Sequence, residues 1–407
     1  MQICEKNICT GCALCVNICN HKAIVMKPDE KGFLYPVIDS SKCVSCKLCQ
    51  KKCPQNSELS LNSEGSVYAA MAKNDEIRKK SSSGGLFSIF AEWIINNQGV
   101  VIGAALMSDM SVCHISVSSI GELEKLRGSK YVQSEIGTIY QSVKDTLESG
   151  KKVLFSGTPC QVDGLYKFLG YNPENLITID LLCHGTPSPN VFSKYISYIE
   201  DIYGKKVVNA NFREKNPGWK DFHLKLIFDD GTTVIDKEHT YINGFLKNYF
   251  LRESCYKCKY TNKTRVGDIT LGDYWGYKQS FPKFVEDDDN GISVIMLNTD
   301  KGKKLYSKNK HKMICVKSDI DDVALGNIVL SRSVPKAENY TEFWCDYDNM
   351  EWKELSDRYF PADAEWHDPY TPEARAYYSI PYHRRHPRHL IHCWKLRLID
   401  KIKRIKG

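Results

Sequence analysis

The stretch Cys9-Thr-Gly-Cys12-Ala-Leu-Cys15-Val-Asn-Ile-Cys19 decides the fold at the start of this 407-residue chain. Its spacing, C-x2-C-x2-C-x3-C, recurs 34 residues later as Cys43-Val-Ser-Cys46-Lys-Leu-Cys49-Gln-Lys-Lys-Cys53. Between the two runs, residues 23–26 and 33–38 are apolar and flank a turn-forming segment at 28–32, which predicts a strand, a turn and a strand. The sequence therefore predicts a pseudo-symmetric unit over residues 1–60.

This spacing is the one with which bacterial ferredoxins hold two 4Fe–4S clusters, three thiolates of each run binding one cluster and the fourth binding the other. That exchange assigns one cluster to Cys9, Cys12, Cys15 and Cys53, and the second to Cys43, Cys46, Cys49 and Cys19. Structural zinc is the alternative, but it usually takes two C-x2-C pairs with a longer gap. Cys4 lies outside the pattern and is interpreted as a spare thiol.

Length, charge and cysteine usage limit the class of protein. The chain is too long for a ferredoxin alone, and its 17 cysteines favour a reducing compartment, so we expect a cytoplasmic protein. No apolar stretch is long enough to span a bilayer. Residues 383–407 hold nine Lys or Arg and one acid, whereas the rest is nearly neutral, which argues against a nucleic-acid partner.

The remaining chain alternates strand and helix patterns, which predicts a layered α/β domain, with mixed α+β left open. Strands are predicted at 67–72, 100–107, 153–156, 176–182 and 207–213 and a hairpin at 224–235; helices are predicted at 83–98, 135–148 and 188–203. We therefore expect a ferredoxin-like domain at 1–60, a larger domain at 61–355 and a basic helical tail at 356–407.

Four further cysteines follow predicted strands or form a pair: Cys160, Cys183, Cys255 and Cys258. Ligands collect at the carboxyl ends of parallel strands, so these thiols could converge on a third 4Fe–4S cluster. Half a zinc site, a redox dithiol or simply buried cysteines fit the spacing too.

Two glycine-containing loops suit an anionic cofactor group. Residues 81–85, Ser-Ser-Ser-Gly-Gly, stand directly before a predicted helix, whose dipole and free N–H groups favour a pyrophosphate. Residues 127–131, Arg-Gly-Ser-Lys-Tyr, add two cations and hydroxyl groups. Helix capping explains the first loop equally well.

A series of motifs in one order makes residues 1 to about 280 similar to the coenzyme F420 hydrogenase/dehydrogenase beta-subunit family. Besides the cysteine runs and the pair Cys255-x2-Cys258, these are Ser82-Ser-Gly-Gly85, Gly128-Ser-Lys-Tyr-Val-Gln133, Gly157-Thr-Pro-Cys-Gln161, Cys183-His-Gly-Thr-Pro-Ser188 and Asp268-Ile-Thr-Leu-Gly-Asp273. The resemblance implies FAD in the α/β domain, with iron–sulfur clusters in line with it, and it favours the third cluster.

From the resemblance we expect flavin contacts at Ser82, Ser83, Gly84, Gly85, Ser129, Lys130, Tyr131, Gly157 and Thr158. The function expected is a flavin-dependent iron–sulfur oxidoreductase that passes electrons from reduced ferredoxin or a similar donor to a small organic acceptor. The alternative is a non-catalytic subunit that relays electrons to a partner enzyme. No catalytic residue is assigned: His184, Lys130 and Asp273 could contact flavin or substrate, and each could equally be a loop residue that satisfies backbone groups.

The C-terminal segment carries apolar residues at three- or four-residue steps from Leu390 onward, with lysines and arginines on the other faces. This pattern predicts a basic amphipathic helix. It fits a helix on an anionic membrane surface, which would make the protein peripheral, and a helix docked on the protein body equally well.

Overall fold

A large mixed β-sheet lies at the centre of the molecule, which was analysed as a computed structural model describing residues 2–238, 240–276 and 289–361. Within those residues the strands are β1 (Ile24–Pro28), β2 (Leu34–Ile38), β3 (Ser66–Ala72), β4 (Val100–Leu106), β5 (Val112–Val117), β6 (Ser134–Glu135), β7 (Val153–Gly157), β8 (Leu176–Leu181), β9 (Val207–Glu214), β10 (His223–Phe228), β11 (Thr233–Asp236), β12 (Ile269–Asp273), β13 (Ser293–Leu297) and β14 (Met313–Lys317). The large sheet has the order β14-β3-β13-β12-β8-β7-β4-β5-β6. The expected α/β class is confirmed.

The centre of this sheet is parallel and its flanks are largely antiparallel. Parallel pairing joins β12 to β8, β8 to β7 and β7 to β4, so the carboxyl ends of these four strands meet at one edge. Antiparallel pairing adds β13, β3 and β14 on one flank and β5 on the other. The parallel centre creates the edge at which loops after β7, β8 and β12 can converge.

Helices cover both faces of the sheet. The described α-helices are α1 (Leu14–Ile18), α2 (Leu48–Lys52), α3 (Asp75–Lys79), α4 (Leu86–Asn96), α5 (Ile139–Glu148), α6 (Pro159–Leu169), α7 (Pro189–Tyr203), α8 (Thr240–Leu246), α9 (Asp300–Asn309), α10 (Ile320–Gly326), α11 (Tyr340–Tyr347) and α12 (Trp352–Tyr359). Alternate residues of β7 face opposite layers: Leu154 packs in the cluster with α4, whereas Val153 and Phe155 pack with α5 and α6. This burial on both faces explains the continuous apolar run of the strand.

The helix that follows β7 is specified locally. Thr158 and Gln161 form a capping box and Pro159 occupies the first turn, so α6 begins immediately after the strand. Gly170, at φ 76°, ends the helix in the left-handed region that glycine adopts without steric cost. The β7–α6–β8 crossover therefore brings the chain back to a neighbouring parallel strand.

The amino-terminal unit is small. Strands β1 and β2 form an antiparallel pair, Ile24 opposite Ile38, as the repeat predicts. Helices α1 and α2 each start inside a cysteine run, after Ala13 and Lys47, which both have positive φ. The two halves thus have matching local structure.

A second layer of strands, β11-β10-β9, packs with α7, α8, α11 and α12 around an aromatic core. Trp352 of α12 is fully buried there, and its indole N–H donates to Thr240 Oγ1 at 3.2 Å. The hairpin between β10 and β11 confirms the prediction at 224–235.

Two helices begin later than predicted. Helix α4 begins at Leu86 rather than at residue 83, because Gly85 has φ 87° and leaves residues 81–85 as a loop. Helix α5 begins at Ile139 rather than at residue 135, because Ser134 and Glu135 pair as β6 and Gly137 has a positive φ. The other predicted strands and helices are confirmed to within about two residues.

Residues 362–407, which include the basic segment of the predicted tail, lie outside the described residues. Across the described helices, none combines the length and the apolar composition that crossing a bilayer requires.

Candidate functional site

The thiols of the two cysteine runs lie in two neighbouring groups. Burial raises the pKa of Cys15, and the nearby thiols of Cys9 and Cys53 raise it further. Burial likewise raises the pKa of Cys49, with added repulsion from Cys19 and Cys46. The fourth cysteine of each run therefore lies beside thiols of the other run, which is the arrangement that two neighbouring clusters require.

The two groups differ in exposure. Cys9, Cys12, Cys15 and Cys53, called the proximal set, are all buried. In the distal set, Cys19, Cys43, Cys46 and Cys49, only Cys49 is buried and Cys46 is exposed. The distal set therefore lies at the protein surface, and the proximal set lies inside.

Cys4 also belongs to this region, although the spacing leaves it outside the motif. Its thiol hydrogen-bonds with Cys9 and Cys53, and these contacts lower the pKa of Cys9 to about 6 and that of Cys53 to about 7. A fifth thiol thus adjoins the proximal set.

Arg252 joins the amino-terminal unit to the α/β domain. Its guanidinium is 1 % exposed; Nε donates to Cys9 O at 2.7 Å and Nη2 donates to Leu34 O at 3.0 Å. The guanidinium also lies 4.1 Å from the ring centroid of Tyr35. The same cation lowers the pKa of Cys160 and Cys255, although burial outweighs it there. Sequence reasoning missed Arg252, because nothing in the adjacent sequence marks it.

Gln133 strengthens this junction. Its side-chain oxygen accepts a hydrogen bond from Leu34 N at 3.0 Å, while its backbone N–H donates to Pro187 O at 3.0 Å. The amino-terminal unit is therefore held to the α/β domain by buried, directional bonds.

The structure brings Cys160, Cys183, Cys255 and Cys258 together; these form the inner set. They line one cavity of about 40 Å³ at the carboxyl edge of β7 and β8. Burial raises the pKa of Cys160, Cys255 and Cys258 to about 11 each, and that of Cys183 further.

The donor groups of the inner set fit an iron–sulfur cluster. Thr186 N–H donates to Cys255 Sγ at 3.3 Å, which is the type of N–H···S bond that tunes such clusters. Within the described residues, no three His, Cys, Asp or Glu side chains converge closely enough to hold a single metal ion. A 4Fe–4S cluster needs a different arrangement, because each of its thiolates binds its own iron atom.

Helix α6 connects the inner set to the proximal set. Cys160 lies in its first turn, and one turn further a Cβ at Gly164 would lie 3.4 Å from Cys12 Sγ. Cys160 also contributes to raising the pKa of Cys12, after burial and the thiols of Cys15 and Cys9. Only glycine at position 164 leaves room for this close approach.

A much larger cavity, of about 820 Å³, adjoins the inner set. Cys160 and Cys183 line both cavities. Eight of the nine residues expected at the flavin line the large one: Ser82, Ser83, Gly85, Ser129, Lys130, Tyr131, Gly157 and Thr158. Gly84 lies behind the loop, where its N–H donates to Ser293 Oγ at 2.9 Å.

The two glycine loops meet at this cavity. Ser129 N–H donates to Ser82 Oγ at 2.7 Å, which ties one loop to the other. A Cβ at Gly85 would lie 2.9 Å from Ile77 Cγ2, so the positive φ and the crowding both require glycine. The loop thus sets backbone groups and the amino end of α4 against the cavity.

Lys130 places its amino group at the same wall. Its Nζ donates to Arg127 O at 2.7 Å and to Lys125 O at 3.0 Å. Burial lowers its pKa to about 7. An anion bound in the cavity would favour the charged form of this group.

Beside the two glycine loops, the cavity wall contains a buried ion pair that sequence reasoning did not find. Arg213 donates to Asp273 Oδ2 at 2.9 Å, to Tyr131 OH at 3.1 Å and to Ser82 O at 3.2 Å. Trp219 Nε1 donates to Asp273 Oδ1 at 2.8 Å. Asp273, which the sequence suggested as a possible contact of flavin or substrate, thus positions an arginine and a tryptophan that line the cavity.

His184 lies between the two cavities. Its Nε2 is 2.7 Å from Asn248 Oδ1, and its ring stands edge-on to Phe245. His114 lines the large cavity as well; burial lowers its pKa to about 4, so it is neutral at physiological pH.

Comparison with known families finds matches to two segments of the chain. The family described as the C terminus of the coenzyme F420 hydrogenase/dehydrogenase beta subunit matches residues 150–323, and the 4Fe-4S dicluster domain family matches residues 8–57. Residues 150–323 belong to the coenzyme F420 hydrogenase/dehydrogenase beta-subunit family. The first match covers all four cysteines of the inner set, and the second covers all eight of the proximal and distal sets.

Two individual relatives accompany these matches. An uncharacterized ferredoxin of Methanocaldococcus jannaschii is 33% identical over 57 residues, which is 14% of this chain and 73% of that protein. The solved F420-reducing NiFe hydrogenase complex of Methanosarcina barkeri contains a chain that is 18% identical, with a TM-score of 0.43, over 63% of this chain and 83% of that one. The chain combines a segment that matches a 4Fe-4S dicluster domain with a later segment that matches the C terminus of the beta subunit.

Proposed function

We propose that the chain is a flavin-dependent iron–sulfur oxidoreductase that carries electrons from a protein donor, through three 4Fe–4S clusters and FAD, to a small organic acceptor. The observation that carries this proposal is the sequence of contacts from the surface to the large cavity. The distal thiols adjoin the proximal thiols, Gly164 and Cys160 connect these to the inner set, and Cys160 and Cys183 line the cavity.

The chain's own residues support each cofactor in this proposal. The buried thiols of the inner set have raised pKa values, so a bound cluster would supply the positive charge that stabilises their thiolates. Arg252 adds a cation beside both the proximal and the inner set.

The large cavity suits FAD in size and in polarity. Its volume of about 820 Å³ is in the range of cofactor sites. The loop at residues 81–85 and Lys130 provide an anion-binding wall, whereas Arg213, Trp219 and Phe222 form a flat, partly aromatic wall. Bound flavin would supply the conversion between one-electron transfer and a two-electron hydride step.

This cavity favours a catalytic protein over a simple relay. A relay needs cofactors within reach of one another, whereas an enzyme also needs space for an organic acceptor beside the flavin. The residues that would contact such an acceptor include His184 and Lys220, which line the cavity.

Anaerobic purification followed by iron, sulfide and flavin quantification tests the proposal. We expect about twelve irons per chain, since each 4Fe–4S cluster holds four, together with about one FAD. Electron paramagnetic resonance of the reduced protein should show interacting 4Fe–4S signals. About eight irons per chain would refute the inner cluster. Absence of flavin would favour the electron-relay alternative, and an iron-free preparation would refute the proposed function altogether.

A further inference from the structure

The second cysteine run forms a small basic surface around the most exposed thiol of the protein's amino-terminal unit. Lys42, Lys47, Lys51 and Lys52 are exposed, and we call them the lysine patch. They lie within six residues of Cys46 along the chain, and Cys46 is exposed as well. Residues 40–57 contain these four lysines and no aspartate or glutamate.

The charges of this patch are largely uncompensated. Lys42 lies 3.4 Å from the carboxylate of Asp39, an exposed pair that contributes little. Lys47, Lys51 and Lys52 form no ion pair with any residue that the structure describes. Residues 1–382 carry a formal charge of about −1, so the patch does not reflect a generally basic body.

The lysine patch differs from an ordinary solvent-exposed basic surface because it lies in the same segment as the distal set. Cys46 belongs to the distal set, whereas the thiols of the proximal set are buried. An electron that arrives from another protein therefore has its shortest entry at the distal set. Val44, with 57% of its surface exposed, adds an apolar contact beside Cys46.

We propose that the lysine patch and Val44 form the docking surface for a small, acidic, one-electron carrier protein of the ferredoxin type. This inference rests on the proposed function. The carrier's carboxylates face the lysines, and its cofactor is brought close to the distal cluster. One electron would leave the carrier, which is oxidised, and a 4Fe–4S cluster held by the distal set would accept it and be reduced, without any proton transfer.

The physical basis is charge complementarity between two redox surfaces. Complementary charges raise the rate of diffusional encounter by about 10- to 1,000-fold at low salt and lose this effect as salt screens them. An apolar residue at the centre of such a contact provides non-directional attraction that tolerates several orientations. The helix α2 presents Lys51 and Lys52 from its last turn, where they also stabilise the helix dipole.

The test uses the full chain purified without oxygen and a reduced bacterial ferredoxin rich in aspartate and glutamate. Stopped-flow absorbance follows oxidation of the ferredoxin at ionic strengths from about 20 to about 400 mM, a range over which the screening length falls severalfold. We expect the second-order rate constant to fall at least about tenfold over this range. The triple variant Lys47→Glu, Lys51→Glu, Lys52→Glu should have a similarly reduced rate at low salt and little salt dependence.

A matched control carries the same change of charge at a distant place. Lys151 and Lys152 precede β7, at the sheet edge opposite the cysteines, and Lys304 lies on α9; all three are exposed. The variant Lys151→Glu, Lys152→Glu, Lys304→Glu should keep most of the wild-type rate. An equal loss of rate in both variants would show that the net charge of the protein, and not the lysine patch, determines the rate. That result would refute the proposed docking surface.

Reduced methyl viologen separates the docking surface from the proposed function. This small cation needs no docking surface, so it should reduce the clusters of the wild type and of the patch variant alike. If the clusters are present and viologen-reducible but the ferredoxin rate is unchanged in the patch variant, the docking surface is wrong and the oxidoreductase stands. If the wild type contains no cluster, both fall.

Discussion

Replacing Arg252 by methionine tests how the amino-terminal unit is held to the α/β domain. The guanidinium donates two short hydrogen bonds, to Cys9 O and Leu34 O, and a longer one of 3.4 Å to the side chain of Gln133. Methionine fills most of the volume but donates none of these bonds. The two carbonyl groups then remain buried without a partner.

The magnitude follows from the number of bonds lost. Hydrogen bonds from a charged donor contribute about 1.5–3 kcal/mol each, and the relief of burying the arginine charge offsets part of this. We expect a loss of about 3 kcal/mol in the free energy of docking. The change should be local, because Arg252 lies at the junction and not in the core of either unit.

Hydrogen–deuterium exchange with mass spectrometry is the suitable assay. Peptides covering residues 9–12 and 33–38 should exchange about 100-fold faster in Arg252→Met if opening of the junction is cheaper by about 3 kcal/mol. Arg252→Lys should fall between the two, since it retains charge but loses the planar fork. Arg358→Met is the control, because that arginine is 57% exposed in a surface ion pair. Unchanged protection of both peptides in Arg252→Met would refute the reasoning.

Cys183→Ser should lower the iron content by about four atoms per chain and leave the paramagnetic signals of the amino-terminal clusters unchanged. Cys345→Ser, at an exposed cysteine, should lose no iron. Equal iron contents in the two variants would refute the inner cluster. Gly85→Ala should lower the free energy of unfolding by about 1–2 kcal/mol or more and should also lower the FAD content, because φ is 87° and Ile77 lies 2.9 Å from the new Cβ. Gly150→Ala is the control, since it has only the cost of its positive φ. Similar FAD contents in the two variants would contradict the role of the loop. Burial lowers the pKa of Lys130 to about 7. Between that pH and the normal pKa of lysine, the unfolded chain binds one more proton than the folded chain does. The free energy of unfolding therefore rises with pH over this interval. In urea unfolding of the flavin-free protein, the wild type should therefore gain about 2 kcal/mol relative to Lys130→Met between about pH 7 and about pH 9.5, and parallel curves would show that the lysine is solvated.

Local patterns in the sequence were sufficient for many of the strands and helices before residue 240 and for the proximal and distal thiols. Cysteine spacing acts over a few residues, so it indicates cluster ligands without knowledge of the rest of the fold. The capping signal at Ser188 is similarly local, and the helix that it predicts is present. The helix after β7 was not predicted, although Thr158 and Gly170 specify its ends locally. The two misplaced helix starts, at Leu86 and Ile139, depend on backbone angles at Gly85 and Gly137 that composition alone does not specify.

The inner set illustrates the limit of such patterns. Cys160, Cys183 and the pair at 255 and 258 are separated by up to about a hundred residues, and each segment alone fits several kinds of site. Cys160 and Cys183 converge because β7 and β8 are parallel neighbours whose carboxyl ends share one edge. The pair at 255 and 258 joins them because the segment at 251–252 bonds to the loop at 186–187 that follows β8.

The sequence by itself determined the ligand chemistry of the amino-terminal runs, the alternation of strands and helices, and the glycine loops, because each depends on neighbours within a few positions along the chain. Only the tertiary structure decided that Arg252 joins two thiol sets, that Arg213 pairs with Asp273 at the cavity, and that the distal thiols lie at the surface. These are contacts between residues far apart in sequence, and their partners are selected by strand order and burial, which no local spacing records.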